Sequence, residues 1–134
     1  MLNLAFGWIW ITMGFLSGAV LGMGFQRDDF MGGYDSWKRR LIRLGHIAFF
    51  GTGFLNVLVA LSGMMLGDMH TATNLWVVTS WCFIVGGAAM PVCCLIASKW
   101  KSTKPIFVVP VVALTLGGVL MSVILVRVMI EGVV

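Results

Sequence analysis

Charged residues are scarce in this sequence: Asp, Glu, Lys and Arg make up only 10% of its 134 residues, whereas soluble domains contain about 25%. None of them lies in residues 1–26, 44–67, 69–98 or 105–126, and each of these runs exceeds the ~20 residues that a membrane-spanning helix needs. Hydrophobic residues make up 60% of the chain, which leaves no soluble domain of useful size. We therefore predict an all-α integral membrane protein, a four-transmembrane-helix bundle in which residues 1–134 form one membrane domain with spans at about residues 4–24, 41–63, 74–98 and 105–126.

Catalytic and transport signatures are also missing. The apolar runs contain no Asp, Glu, Lys or Arg, although proton- and ion-coupled transporters place such groups within their spans. The chain has no Gly-x-x-x-x-Gly-Lys phosphate loop, no Gly-x-Ser-x-Gly nucleophile elbow and no His-Glu-x-x-His metal helix. An independent enzyme or coupled transporter is therefore disfavoured, and any link to catalysis would be as an accessory subunit of an oxidoreductase complex.

Cysteine is represented only by Cys82, Cys93 and Cys94, all in the third apolar run. Adjacent cysteines are poorly placed to bridge to each other, so the sequence predicts no disulfide framework. The first apolar run has no basic segment before it and no small-residue cleavage pattern. An uncleaved helix is therefore favoured over a removed signal peptide.

Positive charge is concentrated in two short loops. Eight of the nine Lys and Arg residues lie in residues 27–43 and 99–104, and basic loops remain on the cytoplasmic side of a membrane. This distribution predicts a topology with both termini on the outer side, and it indicates membrane orientation rather than nucleic-acid binding. Asp35 or Ser36 is expected to cap a helix that begins at Trp37. The expected location is the bacterial inner membrane or an equivalent energy-transducing membrane.

Glycine is abundant and is spaced for helix packing. Glycine lets neighbouring helix backbones approach closely, which promotes association where lipid supplies no hydrophobic driving force between helices. The expected partners are membrane lipids, other integral membrane subunits or copies of the chain itself. The predicted packing residues are Gly14, Gly18 and Gly22 in the first span, Gly86 and Gly87 in the third, and Gly117 and Gly118 in the fourth.

The second span contains the least ordinary polar residues. At 100° per residue, Gly45, His46, Gly53 and Asn56 fall on one arc of a helix, which should face protein. A neutral imidazole flanked by glycines suggests a haem b ligand or a quinone contact at His46, with the other three residues shaping the pocket. His70 is the only other histidine, and about 30 Å of helix would separate the two, so they cannot hold one iron.

A second metal hypothesis concerns the outer end of the second span. Soft thioether ligands together with one imidazole suit Cu(I). The spacing is not a recognised metal motif, and packing explains many methionines in so apolar a chain. The candidate copper ligands are Met64, Met65, Met69 and His70.

Three functional hypotheses follow. The first is a small non-catalytic membrane subunit that packs into a larger complex, with an energy-transducing complex as one setting. The second is an electron-transfer protein that binds haem b or quinone at His46. The third is a homo-oligomeric channel or transporter.

Overall fold

The computed structural model describes residues 1–67 and 73–131. Four long helices dominate it, and we name them α1 (Leu2–Gly24), α2 (Trp37–Leu66), α3 (Asn74–Lys99) and α4 (Val108–Glu131). Short 3-10 helices occupy Phe30–Gly32 and Lys101–Phe107, and no strand occurs in the described ranges. Each long helix, the last one together with the 3-10 helix before it, is long and apolar enough to cross a membrane. The predicted all-α, four-span fold class is confirmed.

The helices pack in chain order. α1 packs against α2, α2 against α3, and α3 against α4, while α1 reaches α3 at only a few positions. α4 therefore lies at the edge of the row. Its buried residues are Pro110, Gly117 and Ile124, which are seven residues apart and form one narrow stripe.

α1 shows the same periodicity over its whole length. Its inward positions alternate in steps of four and three residues, which is the 3.5-residue repeat of a left-handed helix crossing. Glycine and polar residues occupy most of these positions, as expected for close packing between membrane helices. The buried or half-buried residues of this stripe are Asn3, Gly7, Trp10, Gly14, Ser17, Leu21 and Gly24.

α1 and α2 cross closely where Gly7 and Gly53 face each other. A Cβ atom added at Gly7 would lie 2.7 Å from the carbonyl oxygen of Gly53, and one added at Gly53 would lie 3.0 Å from the carbonyl oxygen of Gly7. The first distance is shorter than real Cβ contacts and the second is shorter than most of them, so a side chain at either position would require the backbones to move apart. This crossing fixes the register of α1 on α2.

Pro91 lies inside α3 and leaves the carbonyl of Gly87, four residues earlier, without its helical donor. This carbonyl accepts a hydrogen bond from Trp10 Nε1 on α1 at 3.0 Å, so a neighbouring helix replaces the missing backbone donor. Pro110 lies in the first turn of α4, where a backbone N–H would have no partner within the helix. The carbonyl of Ile106, four residues before it, accepts from the backbone N–H of Val108 and from the Cys93 thiol on α3 at 3.5 Å.

The two basic loops meet at one end of the molecule. Trp37 at the start of α2 donates from Nε1 to the carbonyl oxygen of Ala97 near the end of α3, at 3.0 Å. The Lys104 ammonium lies 5.0 Å from the centroid of the Trp37 ring. We call the end formed by residues 25–43 and 99–107 the basic end.

Candidate functional site

The polar residues predicted on α2 form two sites rather than one. Gly45 and His46 border a groove between α1, α2 and α3. Gly53 lies at the tight crossing with α1, and Asn56 is fully buried farther along the same helix. Ten residues of helix separate His46 from Asn56, which is about 15 Å at 1.5 Å per residue.

Asn56 is the centre of a closed hydrogen-bond network. Its Oδ1 accepts from Asn3 Nδ2 at 2.9 Å, and its Nδ2 donates to the carbonyl oxygens of Thr52 at 2.9 Å and Phe83 at 3.1 Å. Asn3 Nδ2 also donates to the carbonyl oxygen of Ser80 at 3.1 Å. These contacts join α1, α2 and α3, and they give Asn56 the interhelical partners expected of an amide in a span.

Trp10 and Thr52 extend this network toward the middle of the molecule. Thr52 Oγ1 donates to the carbonyl oxygen of Ala48 at 2.6 Å and lies 3.5 Å from that of Gly87, which Trp10 also contacts. We call Asn3, Trp10, Thr52 and Asn56 the polar seam. Asn3 was not predicted as part of a site, and the only signal for it was an amide in an otherwise apolar first turn.

His46 has a different environment. Its Nδ1 lies 2.9 Å from Ser17 Oγ on α1, and its ring meets the Phe50 ring edge-on at 5.4 Å. A Cβ atom at Gly18 would lie 2.8 Å from His46 Cε1, and one at Gly14 would lie 2.9 Å from the Phe50 ring. Gly14 and Gly18 therefore make room for these two rings.

The groove beside His46 has a volume of about 420 Å³ and opens to the side of the helix row. Its polar groups are Ser17 and His46, and the remaining lining is apolar, including Leu16, Met31 and Ile42. Met31 lies in the loop after α1 and has a left-handed backbone conformation with φ 55° and ψ 28°. A methionine in this conformation is strained by about 1 kcal/mol or more.

A haem pocket shaped by all four predicted residues does not fit this arrangement. The space beside Gly53 is occupied by the α1 backbone and the Ile11 side chain. Asn56 is fully buried, and both of its polar side-chain atoms are hydrogen-bonded. Neither lines the groove in which His46 lies. The space next to Gly53 is thus used for helix packing.

The predicted copper ligands fall only partly within the described residues. Met64 and Met65 are exposed at the end of α2, Met65 with 89% of its surface accessible, while Met69 and His70 lie outside the described ranges. Residues 1–67 and 73–131 contain no cluster of three or more His, Cys, Asp or Glu side chains able to hold a metal ion. Cys93 and Cys94 are buried, and Cys82 is half-buried.

The predicted packing glycines differ in what they face. Gly86 is next to Leu114, Gly87 is next to Phe6 and Asn56, and Gly117 is next to Cys82 and Phe83. Gly22 and Gly118 have no atom within 4 Å of the position of an added Cβ. A small side chain at either of these two positions would therefore meet no other described residue.

Arg39 is a buried cation that the sequence did not single out. Its side chain is 7% exposed and its guanidinium carbon lies 5.0 Å from the Phe25 ring centroid and 5.3 Å from that of Tyr34. Its Nε has no hydrogen-bond partner in the described structure. The guanidinium of Arg43 lies 4.7 Å from the same Tyr34 ring.

No protein-family model matches the chain, and searches of curated proteins and of solved structures gave no match. The proposals below therefore depend on the residues and contacts of this chain.

Proposed function

We propose that this chain is a small non-catalytic subunit that packs into a larger membrane protein complex. The observation that supports this proposal is the presence of outward-facing small residues on the two outermost helices, at positions where the described part of the chain leaves open space. The proposed location is the bacterial inner membrane or an equivalent energy-transducing membrane, where a basic cytoplasmic end sets orientation.

The outer face of α1 has its own seven-residue repeat. Ala5, Thr12 and Ala19 are all exposed and lie seven residues apart, on the side away from α2. Gly22 continues this face and has open space around it. Small residues at such spacing let a further helix approach closely, and lipid alone does not require them.

α4 has a second such face. Its fully buried residues are Pro110, Gly117 and Ile124, and half-buried residues such as Leu114, which lies next to Gly86, flank them. More than half of its residues are exposed in the described part of the chain. Gly118 has open space where a side chain would be, and the nearby Ser122 is exposed with its hydroxyl bonded to the Gly118 carbonyl oxygen at 2.9 Å. A helix from another chain could therefore approach the α4 backbone closely at Gly118.

The polar seam supports a structural role. Its amides, indole and hydroxyl form hydrogen bonds with one another or with backbone carbonyls of the bundle. These hydrogen bonds hold α1, α2 and α3 together. In the described ranges no cluster of metal-ligating side chains accompanies them. These groups act as interhelical hydrogen bonds of the kind that stabilise membrane bundles.

Leucine substitutions at the open glycines test the proposal. Gly22→Leu and Gly118→Leu add bulk where the chain itself has space, so the fold should persist and only contact with another chain should be lost. Gly51→Leu is the matched control, because Gly51 is also open but lies on α2 among large exposed side chains such as Ile47 and Leu55. We expect the wild type and Gly51→Leu to migrate in a particle larger than the 14.6 kDa chain on native gels of mildly solubilised membranes. Gly22→Leu or Gly118→Leu should shift to a smaller species.

Mass spectrometry of the particle identifies its composition. Partner chains of other sequence support the subunit proposal, whereas a particle built only from this chain favours the homo-oligomeric channel or transporter. A Soret absorption band that disappears in His46→Ala would favour the electron-transfer hypothesis. A wild-type protein that is monomeric under all mild conditions and turns over a substrate alone would contradict the proposal.

A further inference from the structure

We propose that the groove beside His46 binds one anionic phospholipid, with the lipid phosphate on Arg39 and Arg43 and an acyl chain in the groove. This inference is independent of the subunit proposal, because it depends on the basic end of α1 and α2 and not on their outward-facing small residues.

The first step in the argument is the environment of Arg39. A buried arginine usually pairs with a carboxylate, because an unpaired buried charge is costly. The Arg39 residue is 7% exposed, its Nε is buried without a hydrogen-bond partner, and its guanidinium carbon lies 5.0 Å and 5.3 Å from the centroids of the Phe25 and Tyr34 rings. The single ion pair of the described ranges joins Arg27 to Asp29. Within residues 1–67 and 73–131, no carboxylate therefore pairs with Arg39.

Other features of the basic end add to the positive potential. The guanidinium groups of Arg39 and Arg43 both lie within about 5 Å of the Tyr34 ring, at 5.3 Å and 4.7 Å from its centroid. They are one helical turn apart in the N-terminal part of α2, a 30-residue helix with no acidic residue in its first turn. Backbone dipoles make the N-terminal end of a helix positive. This potential is unfavourable for the two arginine side chains and favourable for a bound anion. Two arginines so placed suit a phosphate, whose oxygens accept paired N–H donors.

The groove lies beside this cationic site on the same face of α2, although neither arginine is among its lining residues. Arg39, Ile42, Arg43 and His46 are at positions i, i+3, i+4 and i+7, so they follow one another along the helix surface. Ile42 and His46 line the groove, and the distance from Arg39 to His46 is about 10 Å along the helix. An acyl chain that descends from a phosphate at Arg39 would lie against this apolar lining.

Ser36 ties the loop that follows α1 to the start of α2. Its Oγ donates to the carbonyl oxygen of Met31 at 2.7 Å and accepts from the backbone N–H of Arg39 at 3.1 Å. Met31 has a left-handed backbone conformation and is one of the residues that line the groove. The same serine therefore positions both the start of α2, with Arg39, and the apolar wall beside it.

An anionic phospholipid matches both halves of the site. A neutral lipid or a quinone would fill the groove but leave Arg39 and Arg43 without a counter-charge. A free phosphate would address the arginines but leave the apolar groove without an occupant. The surrounding bilayer supplies a molecule that has both an anionic phosphate and acyl chains.

Native mass spectrometry of the purified full chain in a zwitterionic detergent measures this binding directly. Phosphatidylglycerol and phosphatidylcholine with identical acyl chains are added separately, and the number of bound lipids is counted. We expect one phosphatidylglycerol to bind about tenfold more tightly than phosphatidylcholine, which is the effect of one or two charge-assisted hydrogen bonds. The Arg39→Gln/Arg43→Gln protein should lose this preference.

The matched control is Arg27→Gln/Arg40→Gln, which removes the same charge from the same end but at exposed side chains. Retention of the preference in this control supports a site at Arg39 and Arg43, and an equal loss in both double variants overturns it in favour of diffuse attraction.

Competition experiments test the two halves of the proposed ligand. Displacement of the lipid by soluble glycerol phosphate at equal concentration overturns the proposal that an acyl chain lies in the groove. Displacement by an equimolar ubiquinone overturns the assignment to an anionic ligand. If Arg39→Gln fails to fold, Arg43→Gln against Arg40→Gln gives the same comparison with half the charge change.

Discussion

An amide side chain in the hydrocarbon core needs partners for its oxygen and its nitrogen, because no water competes for them there. Asn56 has no exposed surface and makes three hydrogen bonds, one to Asn3 and two to backbone carbonyls. The pair of amides links residues that are 53 positions apart in the chain. This pair therefore links α1 to α2 by a buried hydrogen bond between two side chains.

A double-mutant cycle on Asn3 and Asn56 measures the contact. Asn56→Leu keeps a similar volume but leaves Asn3 Nδ2 without its amide acceptor, so we expect a loss of about 1–2 kcal/mol in the free energy of unfolding. Asn3→Leu should cost a similar amount, and the double variant should lose less than the sum of the two. Denaturant unfolding in detergent, followed by circular dichroism, gives the three values. Strictly additive losses would show that the two side chains do not interact.

The two members of this pair differ in how far sequence reasoning could find them. Asn56 is the only amide in the middle of a predicted span, so its need for an interhelical partner was predictable. Asn3 precedes the predicted start of the first span at residue 4, and its partner depends on which helix face α1 turns toward α2. Sequence periodicity predicts which face of a helix points inward, but it does not predict which other helix packs against that face. For the same reason, the sequence predicts Arg39 only as one of several charges in a basic loop, and it does not predict the contacts with Phe25 and Tyr34.

At the scale of the helices, glycines determine how closely two backbones approach. Gly7 and Gly53 face each other across the α1–α2 crossing, while Gly22, two turns beyond Gly14, faces open space. A four-residue glycine spacing in the sequence predicted Gly14, Gly18 and Gly22 as one packing face. The structure follows the 3.5-residue repeat instead, and Gly22 therefore lies off the inward stripe of α1.

Alanine substitutions separate these two kinds of glycine. Gly7→Ala places a methyl group 2.7 Å from the Gly53 carbonyl oxygen, so α1 must move and we expect a loss of about 1–3 kcal/mol in the free energy of unfolding. Gly22→Ala meets nothing in the chain and should be neutral or stabilising by up to about 1 kcal/mol, since alanine favours the helix. Thermal unfolding of both variants in the same detergent tests this difference. Equal effects at the two positions would contradict the close crossing.

Helix boundaries were predicted well where hydropathy and helix ends coincide, and less well elsewhere. α3 spans Asn74–Lys99 against a predicted span at residues 74–98. The start of α2 at Trp37 with Ser36 as its cap confirms the prediction of a helix capped there. This start lies four residues before the predicted membrane span at 41, because the basic residues extend the helix out of the apolar region. The fourth span was predicted from residue 105, which lies in the 3-10 helix Lys101–Phe107 that precedes α4.

The whole molecule is a row of four helices with opposite ends of different charge. Eight of the nine Lys and Arg residues lie at the basic end, and Arg127 is the one basic residue at the other. The Trp37–Ala97 hydrogen bond shows that both basic loops share an end. Which end faces the cytoplasm remains a prediction of the positive-inside rule.

Cysteine labelling with a membrane-impermeant maleimide tests the orientation. We expect Glu131→Cys to react in intact cells, and Asp29→Cys and Lys101→Cys to react only after the membrane is permeabilised. The wild type is the control, because its cysteines are buried or half-buried within α3. Labelling of Asp29→Cys or Lys101→Cys from outside would reverse the topology, and labelling on opposite sides would contradict the fold.

The order of the helices in the row was beyond the sequence. All four predicted spans have small residues on more than one side, so hydropathy and glycine spacing allow α4 to close against α1 as readily as to extend the row. The difference depends on contacts such as Gly117 against Phe83, through which α4 packs mainly on α3. These contacts are visible only in three dimensions.

The proline inside α3 has a consequence for biosynthesis. A ribosome delivers the chain to the bilayer from its amino terminus, so Trp10 precedes Gly87 and Pro91 into the membrane. The Gly87 carbonyl, which lacks its helical donor, thus enters a membrane that already contains its replacement donor. The order of these residues along the chain allows α3 to dock on α1 as it emerges from the translocation machinery.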